Sequence, residues 1–118
     1  MRLEKSICES KIMPKDLEVK HLGGSLYEIS QNENVTSATK NIDGKIETFY
    51  TYDKTILTVR IKTRGEGVVA FIRLKYTQDD EFALVNKGIS DLQNSDYLSY
   101  RSYVEKCKLQ AATYFGAL

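Results

Sequence analysis

The sequence predicts an α+β fold: an N-terminal antiparallel β-meander of four to five strands packed against two to three C-terminal helices. Three observations carry this. Between residues 17 and about 63, short β-rich runs alternate with two-residue turn signals, the pattern of consecutive hairpins. Beyond Arg64 the apolar residues recur every three or four positions rather than every second one. The strand-like and helix-like segments are also segregated along the chain, which argues against a doubly wound parallel sheet. With 118 residues the chain is read as a single domain over 1–118, β-rich over 1–64 and helical over 65–118. A domain of this size removes about 65% of its unfolded surface from water, so neither a metal nor a disulfide is needed to hold it.

The first hairpin joins residues 17–22 to 25–30 through Gly23-Gly24, a pair free to take the positive φ of a tight turn. Leu17 and Val19 share one face, answered across the ladder by Tyr27 and Ile29. A third run, 35–41, meets Asp43-Gly44, the strongest hairpin dipeptide in the chain, and residues 45–52 and 55–63 follow as further β-rich runs. In the last of these Leu57, Val59 and Ile61 face one way and Thr58, Arg60 and Lys62 the other. That alternation suits a sheet solvated on one side and covered by a helical layer on the other.

Val68, Val69, Phe71, Ile72 and Leu74 fall at helical spacing, so residues 67–76 read as a helix. Their β-branched and aromatic content leaves a final strand over the same residues as the alternative. Thr77 then supplies an N-cap hydroxyl with Asp80 three positions later, and Asp79, Asp80 and Glu81 suit the positive end of a helix dipole. This predicts a helix over 78–87, ended by Gly88, with a loop over 88–95. Residues 96–115 form a long amphipathic helix in which Tyr97, Tyr100, Val104, Cys107, Ala111 and Tyr114 alternate spacings of three and four. The stripe serves to dock the helix on the sheet or to form a seam for self-association or for a partner. Tyr103 lies off the stripe and is expected to be exposed. Tyr97, Tyr100 and Tyr103 are therefore the candidate partner-binding residues.

Seventeen Lys and Arg against sixteen Asp and Glu give a net charge of +1, too balanced for the one-signed surface of a typical nucleic-acid or anionic-membrane binder. The two cysteines, Cys8 and Cys107, lie at opposite ends with no metal-ligand spacing, which fits a reducing, cytoplasmic setting. Neither an export signal nor a run approaching the roughly 20 apolar residues of a membrane span is expected.

Nucleophilic catalysis needs a base, and the one histidine, His21, sits in a strand beside the Gly-Gly turn with no Ser or Cys that spacing can set against it. The acidic group Asp79–Glu81 reads as a helix first turn rather than a cation site. Gly65-Glu66-Gly67 lacks the third glycine of a dinucleotide fingerprint and the GK[ST] of a phosphate loop. No catalytic residue, cofactor or metal is expected. Phe49, Tyr50 and Tyr52 in one run, with Arg60 and Lys62 in the next, keep a second reading open: a small regulatory module binding nucleic acid through an aromatic strand face. Nearby Asp43, Glu47, Asp53 and Glu66 offset that charge.

The stretch RLKYTQDDEFALVNKG, followed by a short polar loop and DYLSYRSYVEKCKLQA, resembles small accessory proteins encoded by phages and prophages of gut bacteria. The shared pattern is an aliphatic run ending in KY, a Ser/Thr-x-Asp-Asp-Glu helix start and a terminal helix rich in Tyr, Glu and Lys, over about residues 65–112. The resemblance implies a protein encoded near virion structural genes and without an assigned activity; together with the balanced charge and the lack of a catalytic constellation, it leads to the expectation of a non-enzymatic protein of the bacterial host cytoplasm, or one associated with the virion or tail, that acts through protein–protein contact. Phage structural proteins are the expected partners and homo-oligomers an added expectation. It carries over no functional residue.

Overall fold

The computed structural model describes all 118 residues, as four strands followed by three helices. This is the α+β class. The strands are β1 (Arg2–Ser10), β2 (Leu17–Gly23), β3 (Leu26–Ile42) and β4 (Lys45–Arg60), in one antiparallel sheet of order β1-β4-β3-β2. The helices are α1 (Arg64–Arg73), α2 (Gln78–Ser90) and α3 (Ser95–Phe115). The chain divides into two compact units, Met1–Arg60 and Ile61–Leu118, just ahead of the expected change in character at Arg64.

Within the first unit the expected meander is present as β2-β3-β4, but with fewer and longer strands than the five β-rich runs suggest. The second and third runs are one strand, β3. The polar interval between them is absorbed by a bulge, a register shift between Glu33 and Thr36, with Asn34 at φ 53° and its Nδ2 donating to Asp53 Oδ2 at 2.9 Å. The fourth and fifth runs likewise merge into β4, because Asp53 and Lys54 are paired on both sides, to Glu33 and Asn32 of β3 and to Ile7 and Ser6 of β1. The two-residue turn at Asp43-Gly44 forms as expected, with φ 53° and 81°, the twist that matches right-handed strands.

The first strand, β1, was not anticipated. Its nine residues carry charges at Arg2, Glu4, Lys5 and Glu9, and almost all are exposed, so burial leaves little apolar pattern to read. It pairs along its whole length with β4, from Arg2 opposite Thr58 to Ser10 opposite Tyr50. The link from β1 to β2 is held to β3 at Asn32, whose Nδ2 donates to the Lys15 carbonyl at 2.7 Å and whose backbone N–H donates to the Asp16 carbonyl at 3.0 Å. One face of the sheet carries its fully buried residues Ile29 and Leu57, directly opposite one another, flanked by half-buried Val19, Tyr27 and Val59.

In the second unit residues 67–76 form no strand. Thr63 caps α1, its hydroxyl accepting from the Glu66 N–H at 3.2 Å. The α2 capping box forms as read: Thr77 Oγ1 accepts from the Asp80 N–H at 3.1 Å, and the Asp80 carboxylate accepts from the Thr77 N–H at 3.0 Å. Gly88 does not end α2, which continues to Ser90. It is buried, and a Cβ there would stand 2.4 Å from the Tyr97 ring, so its role is to let α2 approach α3 closely. On α3 the buried positions are Tyr100, Cys107, Ala111 and Phe115. The predicted stripe holds as far as Ala111 and then drifts. At about 3.6 residues per turn a strict three-four alternation slips around the helix, so Phe115 turns inward and Tyr114 stays 46% exposed.

Candidate functional site

The second unit is knit by hydrogen-bonded aromatics. Arg73, at the end of α1, and Tyr100, on α3, both donate to the Glu81 carboxylate in the first turn of α2, one to each oxygen. Tyr76, in the link between α1 and α2, meets the Tyr100 and Tyr103 rings edge-on, with centroids 5.4 and 5.5 Å away. The Tyr103 hydroxyl donates to the Phe71 carbonyl at 2.9 Å, near the end of α1 where helix carbonyls lack intrahelical partners. Lys75 lies 5.0 Å above the Tyr103 ring.

The three candidate tyrosines thus come together in one unit, each with a partner inside it. Tyr97 is half-buried over Gly88, Tyr100 is buried against Glu81, and Tyr103, expected to be exposed, is half-buried. Tyr100 and Tyr103 act as fixed donors. Burial, and then the hydrogen bond to the Glu81 carboxylate, push the Tyr100 phenol up to about 12, so it keeps its proton. Burial alone would raise the Glu81 carboxyl, but its bonds to Tyr100 and Arg73 outweigh that and hold it below the ordinary value. Burial also raises the Cys107 thiol, which acts as a small apolar side chain. His21 closes the first hairpin: its Nε2 lies 2.6 Å from the Gly24 carbonyl and its ring stacks on Tyr27 at 4.5 Å.

The aromatic strand face divides. Phe49 and Tyr50 pair with consecutive residues of β3, Ala38 and Ser37, so they project to opposite sides of the sheet. Lys40 and Lys11 already stand 4.5 and 5.7 Å over the Phe49 ring. Arg60 belongs to the same strand as the aromatics rather than to a neighbour, and Lys62 lies beyond it. Tyr50 and Tyr52, two residues apart on β4, share one side of the sheet with Lys54, while Phe49 lies on the other.

Two surfaces stand out instead. On α2, Phe82, Val85 and Ile89 are 62%, 40% and 76% exposed and recur at three and four residues, so they line one side of the helix. Leu92, just past the helix end, is 66% exposed. The inward side of α2 carries Glu81, Leu84 and Gly88. The second surface is β1, at one edge of the sheet, with Ile7 78% exposed. Periodicity could have flagged the α2 stripe, since apolar i, i+3, i+7 is a helix signal, but it reads equally as a buried face. A hollow of about 320 Å³ lies beside α2, lined by Lys75, Tyr76, Asp80, Ala83, Leu84 and Lys87. No helix is long and apolar enough to cross a membrane. Comparison of the chain with protein-family models, with curated proteins and with solved structures returns no match.

Proposed function

We propose that this chain is a non-enzymatic protein that works by protein–protein contact, as a minor virion or tail-associated component or an assembly helper of a phage or prophage. The observation that carries the contact reading is the apolar stripe of α2. Phe82, Val85 and Ile89 face solvent on a capped, regular helix with 62%, 40% and 76% exposure, so covering them contributes the corresponding share of the about 1.5–3 kcal/mol gained when a fully exposed side chain of this kind is buried. A contiguous exposed apolar patch rimmed by polar groups marks an interaction site. Here the rim is Asp79, Asn86 and Ser90, which suits a partner presenting an apolar surface of its own. The phage setting rests on the resemblance of residues 65–112. The tyrosines support the same reading indirectly, by fixing α2 on α3 and so holding its outward face in place.

The test is affinity capture from prophage-induced host cells, run in parallel with the wild type and with the double variant Phe82→Ser/Ile89→Ser. Both should show the same circular dichroism, because neither residue is buried. Capsid, tail or assembly proteins held by the wild type and released by the variant support the proposal. Retention of the same proteins by both forms, or recovery of nucleic acid alone, overturns it.

A further inference from the structure

We infer that β1 is a self-association edge, pairing antiparallel with β1 of a second copy in a register centred on Ile7, so that two four-stranded sheets become one continuous sheet. It uses none of the residues of the α2 stripe, and either proposal can fail alone.

The two edges of the sheet differ. Folded proteins blunt a free edge with short strands, bulges, proline or charged side chains, because its unpaired N–H and C=O groups otherwise recruit another strand; charges stand on both edges here, Glu18 and Lys20 on β2 and Arg2, Glu4, Lys5 and Glu9 on β1, so the other devices tell the two apart. The β2 edge is blunted in this way: it has seven residues, a register shift between His21 and Gly23, and Pro14 in the segment leading into it. The β1 edge has nine residues with no proline or glycine, and its register against β4 is unbroken. Its outer side is therefore a straight template of backbone groups.

The side chains select the occupant. Leu3, Lys5, Ile7 and Glu9 share one face of the strand. In a twofold antiparallel pair, residues facing each other lie on the same side of the sheet, so the centre must fall on a residue. Centred on Ile7, the most exposed apolar residue of the strand meets its own copy. Lys5 then faces Glu9 of the second copy, and Glu9 faces its Lys5, so two opposite-charge pairs flank the apolar contact. Glu4 meets Ser10 and Ser6 meets Cys8. Centring on Lys5 would oppose two lysines, and centring on Ser6 would set Lys5 against Ile7 and Leu3 against Glu9. Only the Ile7 register matches both charge and apolarity. Within one chain Lys5 makes no ion pair, and Glu9 Oε1 accepts from Lys40 Nζ at 2.9 Å while the Glu9 side chain stays half exposed. Both are therefore in position for the crossed pairing.

The experiment is sedimentation equilibrium on the wild type, Lys5→Glu, Glu9→Lys and the charge swap Lys5→Glu/Glu9→Lys. Each single reversal converts two attractive cross-strand pairs into two repulsive ones and is expected to weaken the dimer about tenfold or more. The swap restores the pairs in the opposite sense and should restore the dimer, which a merely misfolded variant would not do. A crosslink supplies a second readout. Ile7→Cys in a Cys8→Ser background should oxidise to a covalent dimer, since directly opposed Cα atoms of an antiparallel pair lie within disulfide range. Leu3→Cys in the same background should not. A wild type that stays monomeric at every accessible concentration, a dimer indifferent to the single reversals, or a swap that fails to restore it would overturn the inference.

Discussion

Gly67→Ala tests the packing of the helical unit most directly. A Cβ built on Gly67 lies 2.5 Å from Cδ2 and 3.2 Å from Cγ and Cε2 of Phe115, whereas ordinary contact begins at 3.4 Å. The ring must therefore retreat by about 0.9 Å, the difference between 3.4 and 2.5 Å. It has little room to do so: Phe115 is 1% exposed, with Phe71 at 0% exposure behind it, the ring centroids being 5.8 Å apart. Overpacking of this kind costs about 1–3 kcal/mol. Against it stands the gain from replacing glycine in a helix, up to about 1 kcal/mol. Gly65 is the internal control, because it lies in the same first turn and an added Cβ meets nothing nearer than Thr63 Oγ1 at 3.8 Å. Both substitutions carry a similar helix-propensity gain, so the stability difference between them isolates the clash. Urea unfolding followed by circular dichroism should show Gly65→Ala equal to or above the wild type and Gly67→Ala about 1–3 kcal/mol below Gly65→Ala. Phe115→Leu, destabilising alone, should narrow that gap in a double-mutant cycle. Equal stabilities for the two alanine variants would refute the close approach of α1 to α3 at this point.

Three further outcomes follow from the same unit. Tyr100→Phe removes the hydroxyl that donates to the Glu81 carboxylate and should cost about 1.5–3 kcal/mol of stability in urea. In a spectrophotometric titration it should also abolish the tyrosine ionisation at about 12. Because the folded phenol lies above its ordinary 10.0, its contribution is complete below pH 10 and is lost as pH rises towards 12, so the variant should lose less stability over that interval. The Glu81 carboxyl is displaced the other way, below 4.5, so its contribution is present above that pH and is lost as pH falls through the folded value. Glu81→Gln should flatten the acid limb of the stability profile, and an unchanged limb would count against the Arg73–Glu81–Tyr100 bonds. Thr77→Ala removes the hydroxyl half of the capping box and should destabilise by about 1 kcal/mol, with Thr77→Ser close to the wild type in the same unfolding assay.

Elements whose local chemistry and tertiary setting agree were legible in the sequence. The Asp43-Gly44 turn, the Thr77 cap and the stripe from Tyr97 to Ala111 each follow from short-range geometry, and each is present. The differences arise where a long-range partner decides. Asn34 and Asp53 look like interruptions in sequence, yet a bulge on β3 and a hydrogen bond between the two side chains carry both long strands past them. The strand β1 has no buried face to impose alternation, and only its pairing with β4 defines it. Gly88 has the residue type of a helix end, but the Tyr97 ring across from it makes the missing side chain useful inside the helix.

The contact surfaces were harder to read because they invert the rule by which sequences are read. Periodicity assigns the bulkiest apolar residues of a helix to its inner side. In α2 the inner side holds a carboxylate, a glycine and a half-buried leucine, while Phe82, Val85 and Ile89 point outward. The inversion has a cause inside the unit: Glu81 is drawn in by Arg73 and Tyr100, and Gly88 by the Tyr97 ring, and these anchors set the rotation of the helix. With α2 held that way, nothing within the second unit covers its apolar stripe. A local rule broken with no compensating gain inside the fold is the mark of a surface shaped by something outside it. The tyrosines that first suggested a partner face are on this account its scaffold, and substitution of Tyr97 or Tyr100 should impair capture only as far as it loosens α2, whereas Phe82→Ser/Ile89→Ser should impair it with the helix still in place.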